Sequence, residues 1–122
     1  MKQILLAEDD ELILKTLEHK LTKDGYEVVL TRNGKEAINN IKSSTFDLII
    51  TDIMMPFASG LEIINAVNEN NKKTPVIVLS SLGQEETVVE AFNLGADDFI
   101  VKPFSPIELA IRIKKILALP KL

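Results

Sequence analysis

The residues of this sequence that could do chemistry are polar side chains placed directly after apolar runs. Glu8 and Asp9 follow the run QILLA, and the run Leu48-Ile49-Ile50 stops at Thr51-Asp52. Short, β-branched apolar runs are typical of buried strands. In an open parallel sheet the carboxyl ends of the strands meet at one edge, where ligands bind. Taken alone, Asp52 is better explained as an ordinary turn aspartate, so its neighbours decide how it is interpreted.

Three carboxylates brought into one cleft indicate a cation site. Repulsion between Glu8, Asp9 and Asp52 is costly unless a cation lies among them or some of them stay protonated. Mg²⁺ fits best, because it prefers oxygen ligands, takes few of them from the protein and keeps several waters. The adjacent Asp10 and Glu11 are better explained as negative charges at a helix N-terminus.

Ser80 and Lys102 add the groups that a phosphoryl site needs. Ser80 follows the run PVIVL, and Lys102 follows DFIV and is expected on the opposite side of the cleft. A metal, an ammonium and a hydroxyl suit a phosphoryl group, whose oxygens need charge neutralisation and hydrogen bonds. Asp52 would then be a nucleophile that forms an aspartyl phosphate. Singly, Lys102 is better explained as a surface lysine and Ser80 as a turn residue, but their joint placement favours the site.

The elements that position these residues are strand and helix patterns in regular alternation. Amphipathic helices are predicted around Leu17, Ile41, Ile64, Val88 and Ile111, and Asn33-Gly34 is expected to form a turn. The five predicted strands are Gln3–Ala7, Tyr26–Thr31, Leu48–Ile50, Pro75–Leu79 and Asp98–Val101. Alternation of this kind implies a parallel sheet with helices on both faces. We predict one doubly wound α/β domain over residues 1–122.

Composition excludes several other kinds of protein. The chain is 46% hydrophobic and 26% charged, as is ordinary for soluble globular proteins, and its net charge of −4 argues against direct nucleic-acid binding. The absence of cysteine excludes disulfides and thiol catalysis, and the single His19 leaves no credible catalytic triad. No apolar run approaches the ~18 residues of a membrane span. We therefore expect a cytoplasmic protein that does not enter the membrane.

The sequence resembles a receiver domain of a two-component response regulator from end to end. The matching segments are LLAEDDE, DLIITDIMMP, VIVLSS and GADDFIVKPF, in this order. The resemblance implies a flavodoxin-like sheet with the strand order 2-1-3-4-5. It also implies a signalling switch rather than an enzyme, in which Asp52 takes a phosphoryl group from a partner histidine kinase. The domain takes part in its own phosphorylation and dephosphorylation.

The resemblance further implies roles for individual residues. Asp9 and Asp52 would supply carboxylates to Mg²⁺, Met54 its backbone carbonyl, and Glu8 a contact through water. Ser80 and Lys102 would stabilise the phosphoryl group, Phe99 would be the aromatic switch residue, and the Lys102–Pro103 peptide bond would be cis. Two departures stand out: Phe57-Ala58-Ser59-Gly60 replaces the usual glycine-containing loop, and Phe99 lacks the hydroxyl of the commoner tyrosine.

The segment GADD and the last helix resemble the receivers of winged-helix (OmpR/PhoB-like) transcription factors. In these proteins phosphorylation promotes a symmetric dimer through the fourth helix, fifth strand and fifth helix. Asp98 and Arg112 match one intersubunit ion pair and Glu108 half of another, but Gln84–Leu94 contains no Lys or Arg. We therefore expect a weak dimer, to which Val88 and Ile111 contribute if they are exposed. A stand-alone receiver and the regulatory half of a longer chain both remain open.

Two other functions on related folds fit the sequence less well. A haloacid-dehalogenase-like hydrolase places a second aspartate two residues after its nucleophile, where this chain has Met54, and no cap domain is inserted. A flavin carrier needs a Ser/Thr-rich phosphate loop after the first strand, where this chain has acidic residues that would repel the flavin phosphate.

Overall fold

A computed structural model describes residues 1–118, along which five strands and five helices alternate. The strands are β1 Gln3–Ala7, β2 Glu27–Thr31, β3 Leu48–Asp52, β4 Val76–Ser80 and β5 Asp98–Val101. The helices are α1 Glu11–Lys23, α2 Gly34–Ser43, α3 Gly60–Glu69, α4 Glu85–Leu94 and α5 Pro106–Ala118. The predicted strands and helices are confirmed, with ends that differ by no more than two residues for each strand.

The strands form one parallel sheet in the order β2-β1-β3-β4-β5. Side chains of successive strand residues point to opposite faces, so Ile4 and Leu6 of β1 pack towards α1 and α5. Leu5 and Ala7 pack towards α2, α3 and α4. The doubly wound, flavodoxin-like architecture is therefore confirmed. No helix among residues 1–118 is long and apolar enough to cross a membrane.

Local sequence signals fix several helix ends. The Asp10 carboxylate accepts hydrogen bonds from the backbone N–H groups of Leu12 and Ile13 at 2.9 and 3.2 Å, so Asp10 caps α1 rather than joining the acidic site. Asn33 caps α2 by accepting from the Glu36 N–H at 2.9 Å. The Asn33-Gly34 pair therefore begins a helix, in addition to turning the chain.

The apolar face of α4 differs from the helical pattern at one residue. Val88 is buried in the core, as that pattern predicts, so the exposure that a dimer contribution from Val88 would require is not met. The exposed valine of this helix is Val89, at 59%. Phe92, which the helical pattern groups with Val88 and Ala91, is 41% exposed, whereas Ile111 of α5 is exposed as its predicted contribution requires.

Candidate functional site

The predicted site residues lie at neighbouring strand ends on one edge of the sheet. β1 pairs with β3 up to Ala7 and Thr51, β3 pairs with β4 up to Asp52 and Leu79, and β4 pairs with β5 up to Ser80 and Val101. Because the strands are parallel and in register, the residues that end them emerge side by side.

The three predicted carboxylates meet at this edge. Glu8, Asp9 and Asp52 each offer a carboxylate oxygen, and these oxygens lie within 4.8 Å of one another. Glu8 is fully buried and Asp52 is 7% exposed, whereas Asp9 is exposed. The cluster therefore consists of two buried carboxylates and one that is exposed to solvent.

The sequence pattern predicts Lys102 on the opposite side of the cleft from the carboxylates. In the structure, its ammonium group lies between two of them. Its Nζ lies 2.8 Å from Asp52 Oδ2 and 2.9 Å from Glu8 Oε2. Its backbone N–H donates to the Ser80 carbonyl at 2.6 Å, which ties the end of β5 to the end of β4. The Lys102–Pro103 peptide bond is cis, as the resemblance implies. One ammonium thus bridges the two buried carboxylates.

Glu8 has the most perturbed carboxylate of the cluster. Burial raises the pKa of Glu8 to about 7, with a further rise from the Asp52 charge, although Lys102 opposes both. Glu8 Oε1 accepts the Asp10 N–H at 3.1 Å. Glu8 Oε2 is paired with the Lys102 charge but, among residues 1–118, accepts no hydrogen bond of good geometry. This oxygen is therefore buried and incompletely satisfied.

The surroundings of Lys102 favour its charged form, whereas those of Glu8 favour the neutral form. Burial alone would lower the pKa of the Lys102 ammonium, but its hydrogen bond to Asp52 and its contact with Glu8 raise that pKa overall. Lys102 is therefore a permanent positive charge over the physiological pH range. The three carboxyl groups of the cluster share this one positive charge, so the cluster has more carboxyl groups than Lys102 alone can neutralise.

The donor set fits a hard divalent cation. The incompletely satisfied Glu8 Oε2 and the exposed Asp9 carboxylate are oxygen donors, which Mg²⁺ prefers. Asp52 Oδ1 is not held by Lys102, and its contact with the Met54 N–H is long, at 3.5 Å. One oxygen of Asp52 therefore faces the lysine while the other stays available to a cation or a reactant. A role for the Met54 carbonyl stays a prediction.

Ser80 and Phe99 lie on the neighbouring strands β4 and β5. Ser80 is buried at the end of β4, and Phe99 is 37% exposed on β5 opposite Val78. The ring of Phe99 meets the ring of Phe92 edge to face, with centroids 5.8 Å apart and planes at 89°. Ser80 and both rings line a pocket of 280 Å³. Sequence reasoning missed Phe92, because the helical pattern assigned it to the buried face.

The loop that follows Asp52 is held in place by a glycine that sequence reasoning did not select. The Gly34 N–H donates to the Pro56 carbonyl at 3.3 Å, and a Cβ on Gly34 would lie 2.0 Å from the Ala58 carbonyl oxygen. Phe57, between Pro56 and Ala58 in the loop, has a φ of 70° and is 84% exposed. A bulky residue in the left-handed region is unusual, since glycine is favoured there.

Arg112 is engaged within its own chain. Its Nη1 lies 3.0 Å from Asp98 Oδ1, and its Nη2 lies 3.3 Å from Glu108 Oε1. The three charged residues that were predicted to form a dimer face are therefore brought together, but by contacts inside one molecule. α4 carries no Lys or Arg that could pair with Glu108.

Comparison with known proteins gives a consistent result. Residues 4–114 match the family model described as the response regulator receiver domain. The chain is 40% identical over 114 residues to response regulator RR06 of Streptococcus pneumoniae, with 93% of this chain and 52% of that protein covered. It is 39% identical over 115 residues to the transcriptional regulatory protein ResD of Bacillus subtilis, with 94% and 48% covered. The chain thus spans about half the length of these curated relatives.

Solved structures agree with the sequence comparison. The non-phosphorylated HemR receiver domain from Leptospira biflexa superimposes with a TM-score of 0.91 at 31% identity, covering 100% of this chain and 98% of that one.

Proposed function

The chain belongs to the response regulator receiver domain family, and we propose that Asp52 is the residue on which it receives a phosphoryl group. Members of this family are phosphorylated on an aspartate in two-component signalling. The observation that carries the assignment is that the two carboxylate oxygens of Asp52 have different surroundings. Lys102 holds Oδ2 at 2.8 Å, while Oδ1, within residues 1–118, has a long contact of 3.5 Å with the Met54 N–H.

The other two carboxylates suit phosphorylation less well. Glu8 is fully buried, so a phosphodonor cannot approach it, and Asp9 has no ion pair with Lys102 among the described contacts. Asp52 combines limited exposure, 11% for its side chain, with a neighbouring ammonium. It can therefore reach a donor while the charge that develops on the phosphoryl oxygens is neutralised.

The proposed reaction is an in-line displacement at phosphorus. Asp52 Oδ1 attacks the phosphorus of a phosphohistidine, the phosphorus–nitrogen bond breaks, and the imidazole nitrogen leaves with the electron pair. Lys102 neutralises charge on a phosphoryl oxygen, and the Ser80 hydroxyl donates a hydrogen bond to another. The proposed donor is the phosphohistidine of a sensor histidine kinase. The cytoplasmic location, where the domain would meet this kinase, stays a prediction.

Mg²⁺ completes the proposed site. Asp9 and Asp52 would bind it directly, the Met54 carbonyl would be a third ligand, and Glu8 would act through water. A bound Mg²⁺ would neutralise negative charge on the carboxylates and the phosphoryl oxygens. The fit of the donor set supports this assignment, because the cluster carries more carboxylates than its one lysine can neutralise.

The output is proposed to be a change in the face formed by α4, β5 and α5. Phosphate would draw the Ser80 hydroxyl inward, and Phe99 would turn into the space beside it. A weak symmetric dimer through this face is the proposed consequence. The dimer is proposed to be weak because Asp98 and Glu108 already neutralise the Arg112 charge within one chain. The regulatory role is proposed for the domain over residues 1–122, of which the family model covers 4–114.

Phosphorylation by a small donor tests the assignment. Incubation with acetyl phosphate and Mg²⁺ should add the mass of one phosphoryl group, and Asp52→Asn should abolish the addition. Asp10→Asn is the matched control, since it makes the same chemical change at a helix cap where asparagine functions equally well. Equal labelling of the Asp52→Asn variant would exclude Asp52 as the acceptor.

A further inference from the structure

The aromatic pair of Phe92 and Phe99 is not explained by folding stability alone. Phe92 lies in the last turn of α4 and Phe99 in β5, and their rings meet edge to face at 5.8 Å. This geometry is attractive for aromatic rings. Yet the two residues remain 41% and 37% exposed, so the pair leaves much apolar surface in contact with water.

The adjoining pocket offers the Phe99 ring a second position. Its volume is 280 Å³, and besides the two rings it is lined by Ser80, Val88 and Val101, among other residues. An apolar cavity of about 150 Å³ holds a benzene molecule, so this pocket has room for a phenylalanine ring. Entry of the ring would remove apolar surface from water, which favours the movement.

Contact with the Phe92 ring opposes this movement of the Phe99 ring. A phenylalanine side chain has no hydrogen-bond donor or acceptor, so hydrogen bonds restrain only the backbone of Phe99. Besides its place in the sheet, its N–H donates to Asp98 Oδ1 at 2.8 Å, and its carbonyl accepts from Arg112 at 3.3 Å. The edge-to-face contact with Phe92 acts on the ring itself.

We infer that Phe92 is a positioning residue, which holds the Phe99 ring out of the pocket in the unmodified protein. It thereby sets how readily the chain adopts the phosphorylated conformation, a consequence that rests on the proposed function. The attraction within an edge-to-face pair is sufficient to change a two-state equilibrium by about 2- to 12-fold. Loss of the pair should therefore increase the population of the inward ring by this factor.

Two substitutions at Phe92 separate the ring contact from simple apolar packing. Phe92→Leu keeps an apolar side chain but removes the aromatic pair, whereas Phe92→Tyr keeps the pair. Both are expected to fold, because the position is 41% exposed, and thermal unfolding checks this. Protein labelled with para-fluorophenylalanine gives one fluorine NMR signal for Phe99, assigned by its loss in Phe99→Leu.

The position of the ring is read in the unmodified protein, from the change in its fluorine shift between H₂O and D₂O. Phe92→Leu should reduce this solvent-dependent change, since the ring spends more time in the pocket, and Phe92→Tyr should match the parent. An unchanged ring exposure in Phe92→Leu, or an equal decrease in Phe92→Tyr, overturns the inference. This outcome does not depend on whether Asp52 is phosphorylated.

The consequence for the switch is read from the rate of phosphorylation by acetyl phosphate with Mg²⁺. Phe92→Leu should react about 2- to 12-fold faster than the parent, and Phe92→Tyr at the parental rate. In a Phe99→Leu background, Phe92→Leu should have no effect, because the pair is already absent. The same acceleration in that background overturns the inference. A parent that accepts no phosphoryl group would instead refute the proposed function, and the ring measurement would still decide the role of Phe92.

Discussion

Glu8 is the residue at which burial and charge conflict most strongly. Its carboxylate is fully buried, and its pKa is raised to about 7 from 4.5. A raised carboxyl pKa means that folding favours the protonated form. The resulting stability is present below about pH 4.5 and is lost as the pH rises through 7.

The free energy of unfolding of the metal-free protein should therefore fall between pH 4.5 and 7 relative to that of Glu8→Gln. A single group contributes a slope of at most about 1.4 kcal/mol per pH unit. Urea unfolding across this range measures the difference, with Glu18→Gln as a control on a partly exposed glutamate of α1. Parallel curves for the parent and Glu8→Gln would show that the Glu8 charge does not limit stability.

Lys102 should stabilise the metal-free fold through the same cluster. Removal of one partner from a buried ion pair leaves an uncompensated charge, so Lys102→Met should cost about 3 kcal/mol at about pH 8. In a Glu8→Gln background the cost should be smaller, because one of the two carboxylates is already neutral. Urea unfolding of the single and double variants measures this coupling. Additive costs would mean that Lys102 acts independently of Glu8.

At the scale of elements, the first turn of α2 supports the loop that follows Asp52. A Cβ on Gly34 would lie 2.0 Å from the carbonyl oxygen of Ala58, and both the helix and the loop backbone would have to shift. Gly34→Ala should destabilise the protein by about 1–3 kcal/mol, as is typical of overpacking. Lys35→Ala, at the next position of the same helix, should stay within about 0.5 kcal/mol. Denaturant unfolding distinguishes the two, and equal stability of both variants would contradict the close contact.

The same elements show what could be predicted from the sequence. Strands are readable because their apolar runs stop at polar residues, and the ends of β1, β3 and β4 placed Glu8, Asp52 and Ser80 correctly. The position of the Lys102 ammonium could not be predicted from the sequence. Its long side chain can extend either way, and the two carboxylates that attract it belong to distant parts of the chain.

Contacts between elements were the other features that escaped prediction. An Asn-Gly pair indicates a turn, but nothing near Gly34 in the sequence indicates that Ala58 packs against it. Phe92 fits the apolar pattern of α4, and only the position of β5 shows that its ring faces Phe99 instead of the core. Periodicity describes one helix or strand at a time, whereas these contacts depend on how two of them are placed.

At the scale of the whole molecule, charge should limit self-association. Glu85, Glu86 and Glu90 give α4 only negative charges, and Arg112 is held within the chain by Asp98 and Glu108. Exposed ion pairs contribute only about 0–1 kcal/mol each. The phosphorylated domain should therefore dimerise weakly, and Arg112→Ala should weaken the dimer further, by up to about 5-fold, because Asp98 and Glu108 are left unpaired on a face that carries only negative charges.

Sedimentation equilibrium over a wide concentration range measures this association. Lys114→Ala is the control, since it removes an exposed positive charge from the same helix. A tight dimer in the parent, or an Arg112→Ala variant that associates as well as the parent, would assign the interface to other contacts.

The central claim is that Asp52 is the phosphoacceptor, and chemical mapping of the acyl phosphate tests it most directly. Borohydride reduces an aspartyl phosphate to homoserine, so the modified residue can be located by peptide mass spectrometry. After treatment with acetyl phosphate and Mg²⁺, homoserine should occur at position 52 and be absent from samples prepared without the donor. Homoserine at position 9, or a phosphorylated protein without any homoserine, would contradict the account.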